Sequence, residues 1–384
     1  MIIEQQFTIK YQYRIHFTAD IFRIQNTTFS DIIYSHSNNG FTPSLLFVID
    51  SNVAAAHPAL QSEISNYISH YAIGSRCINA LIVPGGENAK ENDHTYQEIL
   101  NAIHQFKIDR HSFVVAIGGG GVCDVASFAA AVAHRGIKLI RIPTTTLAQN
   151  DAAIGVKNGI NAFGKKNFLG TFATPVAVIN DSSFLKTLPR RAWTAGLAEA
   201  IKVALIKDAS FFERIEQLAP ALNAGDEAAM QETIIECAKL HLQHIANGDP
   251  FESGSSRPLD FGHWSAHKLE RMSGYRLLHG EAVAIGIALD STYAHLKGYL
   301  HTAALNRIVN LLWQLNLPTN DLLLNQTGEL LQGLAEFREH LGGVLTIPLL
   351  KNIGTAFNVY TIDEQIMHQA AKKLATTSPA ISLV

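Results

Sequence analysis

The chain has 384 residues, 47% of them hydrophobic and 16% charged, and a formal net charge of −3 at pH 7. A chain above ~250–300 residues is expected to form two domains, and no apolar run approaches the ~18–20 residues of a membrane helix. The small negative charge argues against nucleic-acid binding, and the opening MIIEQQFTIK lacks the apolar core of a secretory signal. We therefore expect a cytoplasmic protein with no nucleic-acid or membrane partner.

Short β-rich segments alternate with helical stretches in the first half of the chain. Each of these segments ends in turn residues, a pattern that predicts βα units and a mostly parallel, Rossmann-like sheet. The segments are SLLFVID (44–50), INALIVPGG (78–86), SFVVAIGGG (112–120), KLIRIPTT (138–145) and PVAVIND (175–181).

The second half has a helical pattern. From about Leu185 onward, apolar residues recur three and four positions apart, as in GELLQGLAEFREHL (328–341), and strand-like runs almost vanish. We therefore predict an α/β domain over residues 1–184 and a mostly α-helical domain over residues 185–384. The two domains are expected to pack around a shared cleft.

Four consecutive glycines follow the third predicted strand, in AIGGGGVCDVASF (116–128). Without a Cβ atom, glycine lets the backbone approach a ligand closely. The helix that follows offers N–H groups and a positive dipole to a pyrophosphate. Because the motif is not GxGxxG, a tight turn without a ligand is an equal alternative.

Polar residues follow two other strands at the same edge of the predicted sheet. Asp50 ends the first strand, and Glu87 and Lys90 follow the second in PGGENAKEN (84–92). A carboxylate here can accept a hydrogen bond from a ribose hydroxyl. The alternative for Asp50 is a helix cap.

A stretch dense in glycine, asparagine and threonine carries several cations between residues 134 and 170. Arg135, Lys157, Lys165 and Lys166 are candidates to converge on an anion, since lysine and arginine give phosphate both charge and donors. The alternative is that these cations lie on the surface, where water solvates them.

Carboxylate and imidazole groups recur in the helical half. Glu199 and Lys202 lie three apart within an apolar helical segment, where burial of a carboxylate requires a partner. His263, His267 and His279 follow in RPLDFGHWSAHKLERMSGYRLLHGEAVAIG (257–286). Spacing alone pairs His263 with His267, because positions i and i+4 share a helix face. The alternative is that these histidines are structural residues, whose ring nitrogens are hydrogen-bonded to neighbouring groups.

Six motifs occur here in a characteristic order: GGGGVCDVASF, RGIKLIRIPTTTLAQNDAAIGVKNGIN, GKKNFLGTF, FLKTLPRRAWTAGLAEAIK, DFGHWSAH and LHGEAVAIG. In these motifs the chain resembles dehydroquinate synthase and the wider sugar phosphate cyclase superfamily over about residues 44–290. Within that superfamily it is most similar to the dehydroquinate synthase-like proteins of ebo gene clusters. The resemblance implies a homodimeric lyase, dependent on NAD and on Zn²⁺ or Co²⁺, that converts a seven-carbon sugar phosphate into a carbocycle with loss of phosphate.

The resemblance also implies roles for individual residues. The metal ligands would be Glu199, His263 and His279, with a position left for substrate oxygens, whereas His267 would assist proton transfer near the phosphate. With His267, the residues implied in catalysis are Lys157, Asp151, Lys202 and Asp260. Those implied in substrate binding are Arg135, Lys166, Asn167, His340 and Arg257, with Arg135 reaching the neighbouring subunit's site.

The NAD site implied by the resemblance lies mainly in the α/β domain, and the metal and substrate sites lie mainly in the helical domain. The residues assigned to NAD are Asp50, Asn52, Glu87, Lys90, Gly119, Gly120, Asp124, Thr144, Thr145, Lys157, Lys166 and Thr187.

The substrate-facing positions depart from the dehydroquinate synthase pattern. Asp260 stands where those enzymes have asparagine. A histidine at the position of His340 is similar to the pattern of the sedoheptulose 7-phosphate cyclases. The family has basic residues at positions that correspond to about Leu242 and Ser256 in this chain. Neither of these two is basic here, and Arg257 lies one position after Ser256. Because loss of cations weakens the binding of a carboxylate, the sequence favours a neutral substrate like sedoheptulose 7-phosphate.

Three other functions stay open at this point. A 3-dehydroquinate synthase acting on 3-deoxy-arabino-heptulosonate 7-phosphate is favoured by His267, which is typical of those enzymes. A metal-dependent polyol dehydrogenase would share the fold but release NADH. A non-catalytic binding protein is the third alternative, because a ligand set does not prove turnover.

Overall fold

A computed structural model describes residues 1–37, 42–74, 76–91, 93–246, 251 and 258–377. The chain divides into two compact units. The first contains Met1–Thr144 and Val156–Lys186, and the second contains Thr145–Gly155 and Thr187–Val384. Among the described residues, no helix is both long enough and apolar enough to cross a membrane.

The first unit is built on a six-stranded parallel sheet with the order β1-β8-β5-β4-β2-β3. The predicted α/β class is confirmed, and each of the five predicted segments overlaps one strand. The edge strand β1 and the antiparallel β6–β7 hairpin were not predicted. The strands are β1 (Arg14–Thr18), β2 (Ser44–Asp50), β3 (Arg76–Val83), β4 (Phe113–Gly118), β5 (Lys138–Pro143), β6 (Lys157–Ala162), β7 (Lys165–Phe172) and β8 (Ala177–Asp181).

Helices connect these strands and cover the sheet. Strands β2 and β4 are buried along their whole length, as expected for continuous apolar runs in a sheet covered on both faces. The aromatic rings of Phe22, Phe29, Phe47 and Tyr67 pack together in the core, with centroids 5.5 to 6.2 Å apart. The helices are α1 (Thr28–His36), α2 (Ser51–Ala56), α3 (Leu60–Tyr71), α4 (His94–Gln105) and α5 (Gly120–Val132).

The second unit is mostly helical, with one antiparallel hairpin formed by β9 (Ile347–Asn352) and β10 (Thr355–Val359). Its central helices α7 and α11 are apolar around most of their circumference and are buried over nearly their whole length. The helices are α6 (Arg190–Ala195), α7 (Leu197–Lys207), α8 (Ala209–Ala224), α9 (Glu227–Ala246), α10 (His263–Met272), α11 (His279–Leu296), α12 (Thr302–Gln314), α13 (Thr327–His340) and α14 (Glu364–Thr377).

Glycines allow α11 to lie close to its neighbours. Gly262 precedes α10 with φ +77°, and a Cβ atom on Gly286 would overlap the Gly262 carbonyl oxygen. A Cβ atom on Gly280 would likewise overlap the carbonyl oxygen of Ala195. These close approaches hold the first turns of α10 and α11, and therefore His263 and His279, in fixed positions.

Gly286→Ala should destabilise the protein, because the added methyl group would collide with the backbone of Gly262. We expect a loss of about 1–3 kcal/mol in the free energy of unfolding, the usual cost of overpacking, measured by urea denaturation. Gly328→Ala in α13 is the matched control, since no atom lies within 4 Å of its Cβ position. Equal stability of the two variants would contradict the close packing of α10 and α11.

Candidate active site

Glu199 carries a charge inside the most buried helix of the second unit. Its side chain is 0% exposed and forms an ion pair with Lys202, which is 2% exposed. Burial alone would raise the pKa of the Glu199 carboxyl, but the Lys202 ammonium, together with His263 and His279, lowers it to about 2. For Lys202, burial would lower the pKa, but the carboxylates of Glu199 and Asp151 raise it. Both groups are therefore charged at neutral pH.

Two imidazoles face the same carboxylate. Nε2 of His263 lies 3.6 Å from Oε1 of Glu199, and Nε2 of His279 lies 3.5 Å from that oxygen. Nδ1 of His263 lies 3.1 Å from the Phe261 carbonyl oxygen, which can only accept, so Nδ1 carries the proton and Nε2 keeps its lone pair. Burial, followed by the Lys202 charge, lowers the pKa of His263 to about 3, so this imidazole is neutral.

These residues fit a metal ion. Glu199, His263 and His279 each offer one ligand atom, and these atoms lie within 4.8 Å of one another. Both carboxylate oxygens of Glu199 are buried: Oε2 contacts the Lys202 ammonium, and Oε1 faces the two imidazoles. A buried carboxylate beside imidazole nitrogens is a donor set that a divalent cation such as zinc satisfies.

A second group of possible ligands shares His279. His267, Glu270 and His279 also offer atoms within 4.8 Å of one another. Oε2 of Glu270 lies 3.0 Å from Nδ1 of His279, an arrangement in which a carboxylate orients a metal-binding imidazole. Within the described part of the chain, no group of three ligands contains both His263 and His267, so the pairing suggested by their spacing is not the one the geometry favours.

A buried aspartate of α11 accepts hydrogen bonds from the two residues next to His263. Asp290 is 0% exposed and accepts hydrogen bonds from the Trp264 indole at 2.9 Å and from the Gly262 backbone N–H at 3.1 Å. Burial raises the pKa of Asp290 to about 7, although both hydrogen bonds oppose this shift. The residues on either side of His263 are thus anchored to one side chain.

Asp151 and Asp260 lie near Lys202. Asp151 belongs to a π-helical turn at Ala148–Ala152, and Oδ1 of Asp151 lies 2.6 Å from Nδ1 of His241. The Asp260 carboxylate helps to raise the pKa of Lys202. The structure therefore brings Asp151, Lys202 and Asp260 together with the three candidate ligands. Arg257 lies outside the described residues, as does the side chain of His340 at the end of α13.

Asp50 ends β2 as the N-cap of α2, with its side chain accepting from the Asn52 N–H at 2.8 Å. The structure thus supports the helix-cap alternative for Asp50 and leaves a ribose contact as a proposal. A Cβ atom on Gly85 would overlap Asp50 and Asn52, and one on Gly121 would overlap the Gly86 carbonyl oxygen. The glycine turn therefore brings the start of α5 against the short 3₁₀ helix Gly86–Lys90.

A charged network occupies this edge of the sheet. Lys90, 4% exposed, lies 2.8 Å from Asp124 and 3.8 Å from Glu87, and it also contacts Asn167. Lys166 lies 3.9 Å from Glu87. The cations predicted to hold an anion are therefore partly compensated by carboxylates. Asn161 extends the network by donating to Glu87 at 2.9 Å and to Glu91 at 2.8 Å.

The remaining predicted residues are dispersed over the two units. In the first unit, Gly119 and Gly120 begin α5, and the N–H of Thr144 donates to Gly118. Lys157 begins β6 and is exposed, and its carbonyl oxygen accepts from Arg141. Arg135 is also exposed and follows the far end of α5 from Gly120, so it does not join the Lys90 network. In the second unit, the Thr145 hydroxyl accepts from the Ala148 N–H. Thr187 ends the 3₁₀ helix Ser182–Thr187.

Three polar residues of the cluster were missed by the sequence analysis. Asp290 carries a detectable signal, because it is a lone carboxylate in the apolar stretch AVAIGIALD (282–290). Glu270 lies within the histidine-rich segment, but no spacing rule points to it. His241 has no local signal, since its partner Asp151 is distant in the sequence.

Two family models together match the central two thirds of the chain. The 3-dehydroquinate synthase N-terminal model matches residues 80–195, and the 3-dehydroquinate synthase C-terminal model matches residues 196–336. The 3-dehydroquinate synthase of Dichelobacter nodosus (strain VCS1703A) is 37% identical over 295 residues, which are 76% of this chain and 79% of that protein. The chain belongs to the 3-dehydroquinate synthase family, within the sugar phosphate cyclases, which confirms the resemblance found in its motifs.

Solved structures share the fold along the chain. ValA, the 2-epi-5-epi-valiolone synthase from Streptomyces hygroscopicus subsp. jinggangensis 5008 with NAD⁺ and Zn²⁺ bound, matches with a TM-score of 0.87 and 28% identity, over 97% of this chain and 99% of that chain. A 2-deoxy-scyllo-inosose synthase complexed with carbaglucose-6-phosphate, NAD⁺ and Co²⁺ matches with a TM-score of 0.77 and 21% identity, over 94% of this chain and 96% of that chain. The second likeness shows the fold alone.

His263→Ala and His267→Ala should separate the two possible ligand groups, because His279 belongs to both. We expect His263→Ala to lose bound zinc and His267→Ala to keep it, measured by metal analysis of the purified proteins. The fold should survive in both variants, since a catalytic metal contributes less to folding than a closed structural site. Zinc loss confined to His267→Ala would identify the second group as the metal site.

Proposed function

We propose that the protein is a sugar phosphate cyclase that uses NAD and a divalent metal, zinc or cobalt, and acts on a neutral heptulose phosphate such as sedoheptulose 7-phosphate. The observation that carries the proposal is the buried Glu199 carboxylate, whose Oε1 oxygen faces Nε2 of both His263 and His279. Three protein ligands with a remaining coordination position are typical of a catalytic rather than a structural zinc site.

The two cofactors would supply complementary chemistry: the metal acts as a Lewis acid toward a substrate oxygen, and NAD accepts a hydride that is restored in the same turnover. The chain's own residues would bind and orient the dinucleotide and the substrate. Gly119, Gly120 and the start of α5 offer backbone N–H groups to the pyrophosphate. The Lys90, Asp124 and Lys166 network lies at the same sheet edge, which supports a role in holding the dinucleotide. The exposed Arg135 is proposed to serve the site of a second copy.

Lys202 and Asp151 would handle substrate hydroxyl groups in different ways. The raised pKa of Lys202, due to Glu199 and Asp151, keeps it a hydrogen-bond donor. The pKa of Asp151 is lowered by Lys202 and His241 in spite of its burial, so Asp151 remains an acceptor. His267 lies beside His279, with ring centroids 5.9 Å apart, and is proposed to carry the proton that moves between the sugar and its leaving phosphate.

The charge around Lys202 supports a neutral substrate. Three carboxylates, those of Glu199, Asp151 and Asp260, act on this one ammonium group. Of these, Asp260 is the carboxylate that the dehydroquinate synthase pattern lacks. It would repel a substrate carboxylate, and an unpaired buried charge is costly. The second candidate is 3-dehydroquinate synthase, favoured by the name of the relative that is 37% identical.

Asp50→Ala should weaken NAD⁺ binding by removing a charge-assisted hydrogen bond to the ribose. Such a bond contributes about 1.5–3 kcal/mol, so the dissociation constant measured by calorimetry should rise about ten- to hundredfold. Asp208→Ala is the matched control, because Asp208 caps α8 just as Asp50 caps α2. The control should lose stability but keep its NAD⁺ affinity. If Asp50→Ala behaves like the control, Asp50 is a helix cap alone.

The pure protein with NAD⁺ and Zn²⁺ or Co²⁺ should release phosphate faster from sedoheptulose 7-phosphate than from 3-deoxy-arabino-heptulosonate 7-phosphate. No net NADH should accumulate, because the hydride returns to the substrate. Phosphate release, product mass and absorbance at the NADH band measure these outcomes. Efficient formation of 3-dehydroquinate, with the neutral sugar phosphate inert, would establish the second candidate and remove the proposed substrate.

A further inference from the structure

His241 and Asp151 form a pair that joins two elements of the second unit. His241 lies in α9, Asp151 lies in the π-helical turn, and their Nδ1 and Oδ1 atoms are 2.6 Å apart. An ionised carboxylate oxygen only accepts, so a hydrogen bond between these atoms requires the proton on Nδ1 of His241. The contact joins the imidazole of α9 to the carboxylate of the π-helical turn.

The face of α9 that carries His241 is turned toward the charged cluster. Cys237 lies one helical turn earlier and is fully buried, and burial followed by the carboxylates of Asp151 and Glu199 raises the pKa of its thiol. The side chains of His241 and Asp151 are 13% and 19% exposed, whereas Glu199 is 0% exposed. The pair is thus more accessible to solvent than the Glu199 carboxylate of the same cluster.

The imidazole of His241 lies between Asp151 and Gly155. On the other side of the ring, a Cβ atom at Gly155 would lie 3.4 Å from Nε2 of His241, so the position next to the ring is held by a residue without a side chain. Lys202, whose charge also acts on Asp151, forms its own ion pair with Glu199. His241 is therefore the neighbour whose removal would free the Asp151 carboxylate to turn toward Lys202.

Resting on the proposed cyclase function, we propose that His241 is a positioning residue, which holds the ionised Asp151 carboxylate toward a hydroxyl group of a polyhydroxylated sugar phosphate. A carboxylate held in this way accepts a hydrogen bond from a polyol.

Two amide variants of His241 separate positioning from packing. The amide nitrogen of His241→Asn takes approximately the place of Nδ1, whereas that of His241→Gln takes approximately the place of Nε2. His241→Gln should lower kcat for sedoheptulose 7-phosphate by about tenfold or more, as displaced catalytic groups do, with a smaller change in KM. His241→Asn should recover most of the loss, and both variants should keep wild-type zinc content and NAD⁺ affinity.

Gln243→Ala, at an exposed position of the same helix, is the matched control and should retain wild-type kcat. Equal losses of kcat in the Asn and Gln variants, or no loss in either, would overturn the proposal. If the wild-type protein turns over no sugar phosphate, the cyclase proposal fails instead, and the imidazole ¹⁵N spectrum still tests the pair. Asp151→Asn should shift the His241 ring signals, and unchanged signals would overturn the pairing.

Discussion

The burial of the Glu199 carboxylate is the constraint on which the helical unit depends. A charge removed from water must be compensated by partners of opposite charge, by hydrogen bonds or by a cation. Lys202 provides the charge from within α7 by contacting Oε2, which leaves Oε1 facing the two imidazoles. His263 and His279 face the carboxylate with nitrogens that a cation can use, so a bound cation would offset the cost of burying this charge.

The packing of the helices follows from the same requirement. His263 and His279 each begin a helix, so their positions depend on where α10 and α11 start and how closely they approach. Gly262, Gly280 and Gly286 permit that approach, while Asp290 and Glu270 anchor the surroundings of the two imidazoles. In the first unit a different arrangement prevails: Lys90 and Lys166 are paired with carboxylates at the edge of the parallel sheet, and glycines bring the backbone of α5 close to that edge.

The local patterns of the sequence predict the elements better than the contacts between them. Continuous apolar runs predicted the four central strands β8, β5, β4 and β2, which are buried, and also the edge strand β3. The sheet order and the other edge strand, β1, depend on pairing between distant segments. Histidine spacing paired His263 with His267, whereas the ligand set that includes Glu199 came from the resemblance of the motifs. His241 was missed because its contact with Asp151 arises only when α9 packs beside the π-helical turn.

Anomalous diffraction at the zinc absorption edge, from crystals of the protein grown with zinc, would show which residues bind the metal. We predict one strong peak at about 2.0–2.2 Å from a Glu199 oxygen and from Nε2 of both His263 and His279, the usual zinc-ligand distances. A peak bonded instead to His267 and Glu270 would contradict this prediction. So would the absence of any peak at Glu199 in crystals that contain zinc elsewhere, because the buried carboxylate would then be satisfied by Lys202 alone.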